Sequence, residues 1–182
     1  MIPRTVTILL ILAWCMLSVP TVHAEERLPK EYQVKMAFLF NFARFVEWPE
    51  DAFADARSPL VLGILGDDPF GSDLETIRGK TVNGRKLIIN KFKDVDDIRA
   101  CHILFVSNSE KNRLPRILAF LRQSKILSVG DTKKFAQKGG VINLVVENNK
   151  VGFEINVDAG KRAGLRISSK LLSLARIVHD SP

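Results

Sequence analysis

Pro59-Leu60-Val61-Leu62-Gly63-Ile64-Leu65-Gly66-Asp67-Asp68-Pro69 is the stretch on which the fold turns. Its first seven residues form an apolar run with none of the in-and-out alternation of a strand that has one wet face. Such a run reads as a strand covered on both sides, as in parallel sheets sheltered by helices. Gly66 closes it, and Asp68-Pro69 opens a short helix through Ile77, with Asp as cap and Pro at the first helical position. One strand–helix unit of this kind invites a search for others.

The units recur downstream. Asn83-Gly84 marks a tight turn before a strand over Lys86–Phe92. His102–Val106 is another buried strand, followed by a helix capped by Ser107 or Ser109 and running to Gln123. Its core face is Leu114, Ile117, Leu118 and Leu121. Ile126–Val129 is the next strand, and Thr132–Gln137 a short helix. Val141–Val146 and Val151–Val157 flank Glu147-Asn148-Asn149-Lys150 as a β-hairpin. A last helix over Leu165–His179 places Ile167, Leu171, Leu174, Ala175 and Val178 on one face. The expected class is therefore a three-layer α/β fold: a mixed, largely parallel sheet flanked by helices, with a C-terminal β-hairpin and helix.

Upstream, residues 30–48 contain neither Gly nor Pro until Pro49 stops them, which predicts a long helix. Its apolar side chains cover more than one face, leaving Asn41, Arg44 and Glu47 as a narrow polar stripe. That helix is either deeply buried or covered by a partner. Phe42, Phe45 and Trp48 are accordingly core residues or apolar anchors, and their exposure decides which.

The first 24 residues form the export pattern: Arg4 as sole charge, an apolar run from Val6 to Val19, then Val22-His23-Ala24 as a cleavage site. The run is too short for a membrane span, which needs about 20 apolar residues. Trp14 before Cys15 is too bulky for a lipoprotein site. Cleavage after Ala24 leaves one domain over residues 25–182, of 158 residues, in the periplasm. The net charge of +7 falls to +6 with Arg4 removed, a mild excess that permits an acidic partner without demanding nucleic acid. Export argues further against a nucleic-acid role. Cys101 is the only cysteine after Cys15, so the mature chain forms no intrachain disulfide, and burial or an intermolecular bridge remain open to it.

Little supports catalysis. His102 and His179 lack partners at metal-ligand or triad spacing, and no G-x-S-x-G, H-E-x-x-H, P-loop or dinucleotide fingerprint occurs. No enzyme activity, cofactor or metal is expected. Two constellations remain. Asp67, Ser107 and Asp131 follow three strands, where open α/β sheets bind ligands, and form a candidate small-ligand crevice. The alternative is that Asp68, Ser107 or Ser109, and Asp131 simply cap the next helices. Lys161, Arg162, Arg166, Lys170 and Arg176 form a basic stretch with no acid between Asp158 and Asp180. It is either a solvated face or a docking surface for an acidic partner.

The ordered motifs Glu31-Tyr32-Gln33-Val34-Lys35, Phe38-Leu39-Phe40-Asn41-Phe42-Ala43 and Phe45-Val46-Glu47-Trp48-Pro49 resemble the opening of the YfiR family. The likeness continues through Gly63–Gly71, Gly79–Gly84, Cys101–Ser107, Gly139–Asn143 and Phe153–Asn156 to Leu165–Leu172. The resemblance implies a periplasmic regulator that docks to the sensing domain of an inner-membrane diguanylate cyclase and holds it inactive. It implies, too, sequestration by an OmpA-like outer-membrane lipoprotein. A homodimer is a further arrangement left open. On this reading Phe42, Phe45 and Trp48 are apolar contacts, and Glu154, Arg162, Arg166 and Lys170 polar ones. The lone Cys101 departs from family members whose extra cysteines form stabilising disulfides.

Overall fold

The computed structural model describes residues 27–98 and 100–181. The expected leader, residues 1–24, lies outside the described residues. Helix α1 (Arg27–Phe45) leads into a two-residue strand β1 (Val46–Glu47). Then follow β2 (Leu60–Leu65), β3 (Thr81–Val82), β4 (Arg85–Phe92), β5 (Ile103–Val106), α2 (Leu114–Leu121) and β6 (Leu127–Gly130). The hairpin β7 (Ile142–Glu147) and β8 (Lys150–Asn156) precedes α3 (Val157–Arg162), β9 (Arg166–Ile167), α4 (Ser169–Leu172) and β10 (Arg176–Val178).

The main sheet has the order β10-β8-β7-β6-β5-β2-β4-β3. From β4 through β7 all neighbours are parallel, as are β8 and β10, while β7–β8 and β3–β4 are antiparallel. Strand β2 lies between β4 and β5 with all six residues buried, as its undivided apolar run requires. Side chains of β5 alternate between the two faces. Ile103 and Phe105 join a core with Leu39, Phe42 and Ala43 of α1, whereas Leu104 and Val106 join one with Leu114, Ile117, Leu118 and Leu121 of α2. That alternation builds the three layers. Phe42 and Phe105 are wholly enclosed, and burying each phenyl contributes about 2–3 kcal/mol before entropy.

Both tight turns obey one rule. Asn83 and Gly84 have φ of 49° and 80°, and Asn148 and Asn149 have 50° and 60°. Two left-handed residues in succession match the twist of the flanking strands, and Asn and Gly tolerate that region best.

Five expectations change. The short helix expected from Asp68-Pro69 through Ile77 is a 3₁₀ segment over Gly71–Thr76 that begins after Phe70. The first helix ends at Phe45 rather than Trp48, because Val46 and Glu47 pair with Ile167 and Arg166, and the residue before Pro49 prefers extended backbone. Thr132–Gln137 forms turns rather than a helix, since Lys134 sits at φ 62°. Ser107 opens a 3₁₀ segment over Asn108–Asn112, so α2 begins only at Leu114. The long final helix is the largest change. A C-terminal helix is present, but it is the four-residue α4, with strands β9 and β10 on either side. Gly164 (φ 70°) and Ser168, which accepts from the Leu171 N–H, punctuate the segment. Its apolar spacing mimicked a helix, and Leu174, placed on the supposed core face, is 70% exposed.

Candidate functional site

The antiparallel pair β1–β9 brings together residues far apart in the chain: Val46 faces Ile167, and Glu47 faces Arg166. Two backbone segments that the sequence offered as separate candidates therefore form one surface. Ser168 N–H donates to Phe45 O (3.0 Å), and the Lys170 ammonium lies over the half-buried Phe45 ring at 5.5 Å. Arg166 is 86% exposed and reaches Glu47 at 3.5 Å, a loose pair that leaves most of the guanidinium's donors free. Beside this pair, Glu47, Trp48, Phe53 and Arg85 line a groove of about 540 Å³. Trp48 is half-buried and donates through Nε1 to His102 O (3.0 Å), which fixes its ring. Phe53 lies between His102, stacked at 4.2 Å, and the Arg85 guanidinium at 3.7 Å. Aromatic edges and underused Arg donors are what anchors a protein interface. Arg162 is exposed nearby in the chain and paired with Asp180 at 2.9 Å.

Two residues assigned to this surface by sequence lie elsewhere. Phe42 has no exposed area and packs on Phe38 and Phe153, so it holds α1 to the sheet and offers nothing to a partner. Glu154 is 4% exposed and lies in a cross-strand row with Asn143 and Arg176. It accepts from Arg176 Nε (3.0 Å), Asn143 Nδ2 (3.0 Å) and Gln137 Nε2 (3.2 Å). Burial pushes its carboxyl up, but the Asn143, Arg176 and Gln137 donors outweigh this and hold it below the usual range.

The candidate crevice does not assemble. Asp67 is exposed, and its N–H donates to Ser109 Oγ (3.0 Å). Ser107 Oγ is a cap that accepts from the Ser109 N–H. Asp68 accepts from the N–H groups of Phe70 and Gly71 in the turn just before the 3₁₀ segment Gly71–Thr76, whose cap position is Phe70 rather than Asp68. Asp131 caps nothing. Its Oδ2 accepts from Tyr32 Oη and Lys35 Nζ, each at 2.8 Å. The side chains of Lys35 and Asp131 are each only 4% exposed. No sequence signal joins them, since almost a hundred residues intervene, although a lysine on the buried stripe of an aromatic helix asks for a partner. Asp131 lines a polar cavity of about 550 Å³, together with Glu31, Lys35, Gln137, Asn143 and Glu154.

His102 and Cys101 are structural. His102 Nδ1 accepts from the Val61 N–H (3.1 Å), which leaves Nε2 to donate to Ala52 O (3.0 Å), and burial lowers its pKa. The Cys101 thiol donates to Ile103 O at 2.9 Å, and burial pushes it up to about 12, away from reactive thiolate. Among the described residues no group of three His, Cys, Asp or Glu side chains could hold a metal ion. No helix among them is long and apolar enough to cross a membrane.

A mixed, largely parallel sheet with helices on both faces defines an α/β protein, here with half-buried aromatics and an exposed arginine on one surface. A YfiR/HmsC-like family model matches residues 32–176, most of the chain, and the protein belongs to that family of periplasmic regulatory proteins. Among solved structures, a conserved domain protein from Vibrio cholerae is similar at 12% identity and TM-score 0.52, over 80% of this chain and 59% of that one. That likeness concerns the fold alone. A Clostridium difficile substrate-binding protein with adhesive properties, in its ligand-free open form, has TM-score 0.49 and 12% identity, over 67% of this chain and 55% of that one. An ABC domain in complex with L-Trp from Streptococcus pneumoniae has the same score and identity, over 65% and 55%. The chain thus spans little more than half the length of these structures.

Proposed function

We propose that this protein is a periplasmic repressor that docks, through the β1–β9 surface, to the periplasmic sensing domain of an inner-membrane diguanylate cyclase. The observation that supports this reading is the β1–β9 pairing itself, which sets Arg166 beside Glu47 and Lys170 over Phe45, with the Trp48 groove adjoining at Glu47, although these residues come from opposite ends of the chain. Arg162 flanks that face and serves as a secondary contact, released from Asp180 on binding. The cationic side chains recognise acidic groups on the sensing domain, and the aromatic groove takes an apolar side chain between them.

The chain acts by occupancy rather than by chemistry. Export through the leader keeps it away from cytosolic cyclic-di-GMP, so control of that messenger passes through a partner that spans the membrane. An outer-membrane OmpA-like lipoprotein that competes for the same face would relieve the repression. Deleting the gene and measuring cyclic-di-GMP tests the reading: the level rises, wild type restores it, and Arg166→Glu with Lys170→Glu fails to restore it. An unchanged level on deletion removes the proposal.

A further inference from the structure

His102, structural in its neutral form, holds more than its own strand. The segment between β1 and β2 is gripped at two places. At its far end the Asp55 carboxylate accepts from the N–H groups of Arg57 (2.6 Å) and Ser58 (2.7 Å). Arg85 donates there to Asp55 O (2.9 Å) and Ser58 O (2.7 Å). At its near end the grip is His102, through Ala52 O and the stacked Phe53 ring, with the exposed Asp51–Lys125 ion pair beside it. Phe53 and Ala54 form the wall between the Trp48 groove and a second cleft of about 480 Å³, lined also by His102, Phe92 and Asp97. What fixes Phe53 therefore fixes the shape of both hollows.

That grip needs a neutral imidazole. The Val61 N–H belongs to the backbone of the buried strand β2 and can only donate, so Nδ1 must stay a bare acceptor while Nε2 carries the proton. A second proton, on Nδ1, would set N–H against N–H. Burial, and then the Arg85 charge, lower the folded pKa below 6.5, against the Ala52 hydrogen bond, which raises it. The charged groups around the ring favour the same outcome. Arg85 of β4 stands across the Phe53 ring at 3.7 Å, and β2 contributes no charge. Asp51 is already paired with Lys125, Glu47, Glu50 and Asp55 line the Trp48 groove, and the neighbouring Cys101 stays a thiol. The exposed Asp97 lines the cleft that the imidazole itself borders. An imidazolium is thus opposed where the ring now stands, and gains water and a carboxylate if it turns into the cleft.

We propose that His102 is an acid-operated latch: protonation turns its ring out of its seat into the cleft, unstacks Phe53, frees Ala52–Ala54 and so reshapes the Trp48 groove. Two positions of one ring supply the two states, neutral and seated or charged and turned out. A proton selects the second because the turned-out ring, near the ordinary histidine value, binds it more tightly than the seated one. The latch is shut at neutral pH and opens as the pH falls. Its midpoint lies below 6.5, since the seated state must be given up for the proton to bind. This inference goes beyond the docking reading: it concerns the groove whatever occupies it, and its test contains no partner.

The test uses the mature chain, residues 25–182, in which Trp48 is the sole tryptophan and lies 6.4 Å from both the Phe53 and His102 rings. Trp48 fluorescence and its quenching by acrylamide are followed from about pH 8 to about pH 5, above the carboxylate range. Far-UV circular dichroism and NMR of the histidine and phenylalanine rings accompany them. The expected result is a one-proton transition in Trp48 fluorescence with its midpoint below 6.5, greater exposure to acrylamide on the acid side, and unchanged circular dichroism. The Phe53 ring signals shift with the same midpoint as His102. His179→Gln keeps the transition and His102→Gln loses it. If His102→Gln does not fold, the wild-type NMR decides: Phe53 signals that stay still while His102 titrates overturn the proposal. So does a flat fluorescence profile, a transition that coincides with loss of circular dichroism, or one that survives in His102→Gln.

Discussion

The β1–β9 surface and the Asp131 cavity are made from the same two parts of the chain, helix α1 with its extension and the C-terminal third. They treat charge in opposite ways. At the surface, Arg166 and Glu47 meet loosely in water, where an ion pair contributes almost nothing to stability. In the cavity, Lys35 and Asp131 are shut away from solvent and depend on each other. Charges of the first kind are available to a partner because the fold does not need them. Charges of the second kind are needed by the fold, which keeps them out of a partner's reach.

The sharpest way to break this comparison is to remove a buried partner. Lys35→Met should destabilise the protein by about 3–5 kcal/mol, because it leaves the Asp131 carboxylate buried with only Tyr32. Chemical denaturation measures it, and a loss under about 1 kcal/mol would show the pair to be hydrated in solution. Glu154→Gln comes next, at about 2 kcal/mol, from the weakened charge-assisted bonds to Arg176. The same residue predicts a pH effect. Its folded pKa is depressed, so its contribution is complete above the unfolded glutamate range near 4.5 and is lost as pH falls through the folded value. Unfolding free energy measured below pH 5 should fall less steeply in Glu154→Gln than in wild type.

His102 has the opposite titration. Desolvation lowers its folded pKa below 6.5, so the unfolded chain takes up a proton first as the solution is acidified. Stability should decline as pH falls from about 6.5 toward the folded value, with no further histidine contribution below it. A His102→Gln variant lacking that slope between pH 7 and 5 confirms the assignment, and an unchanged slope refutes it. The smallest stability effect belongs to Arg166→Ala, whose thermal midpoint should equal that of wild type within error while affinity for the proposed partner domain drops by tenfold or more. Equal losses in stability and binding would erase the distinction between the two regions.

What the sequence disclosed follows the range of the interactions involved. Strands β2 and β5 were readable because an undivided apolar run reports its own burial, and the two Asn-containing turns because φ preference is local. The final helix was misread because Ile167, Leu171, Leu174 and Val178 repeat at helical spacing. What overrides that spacing is pairing of Arg166 and Ile167 with β1, and of Arg176, Ile177 and Val178 with β8. Those partners lie far away or at a register that no local pattern encodes. Asp131 followed a strand as a cap would, and only the approach of Tyr32 and Lys35 reveals its other occupation. At the candidate surface, residue types were legible and burial was not. Phe42 and Phe45 have the same side chain three positions apart on one helix, yet one is sealed and the other half-open.

The β1–β9 ladder has a consequence for timing. A chain synthesised amino terminus first delivers Phe45 and Trp48 long before Arg166 and Lys170 emerge. The ladder comes into being only once Arg166 and Ile167 are available, so a chain cut before them carries Val46 and Glu47 without their partner strand. Amide exchange at Ser168, whose N–H donates to Phe45 O across this junction, would report the assembled fraction directly.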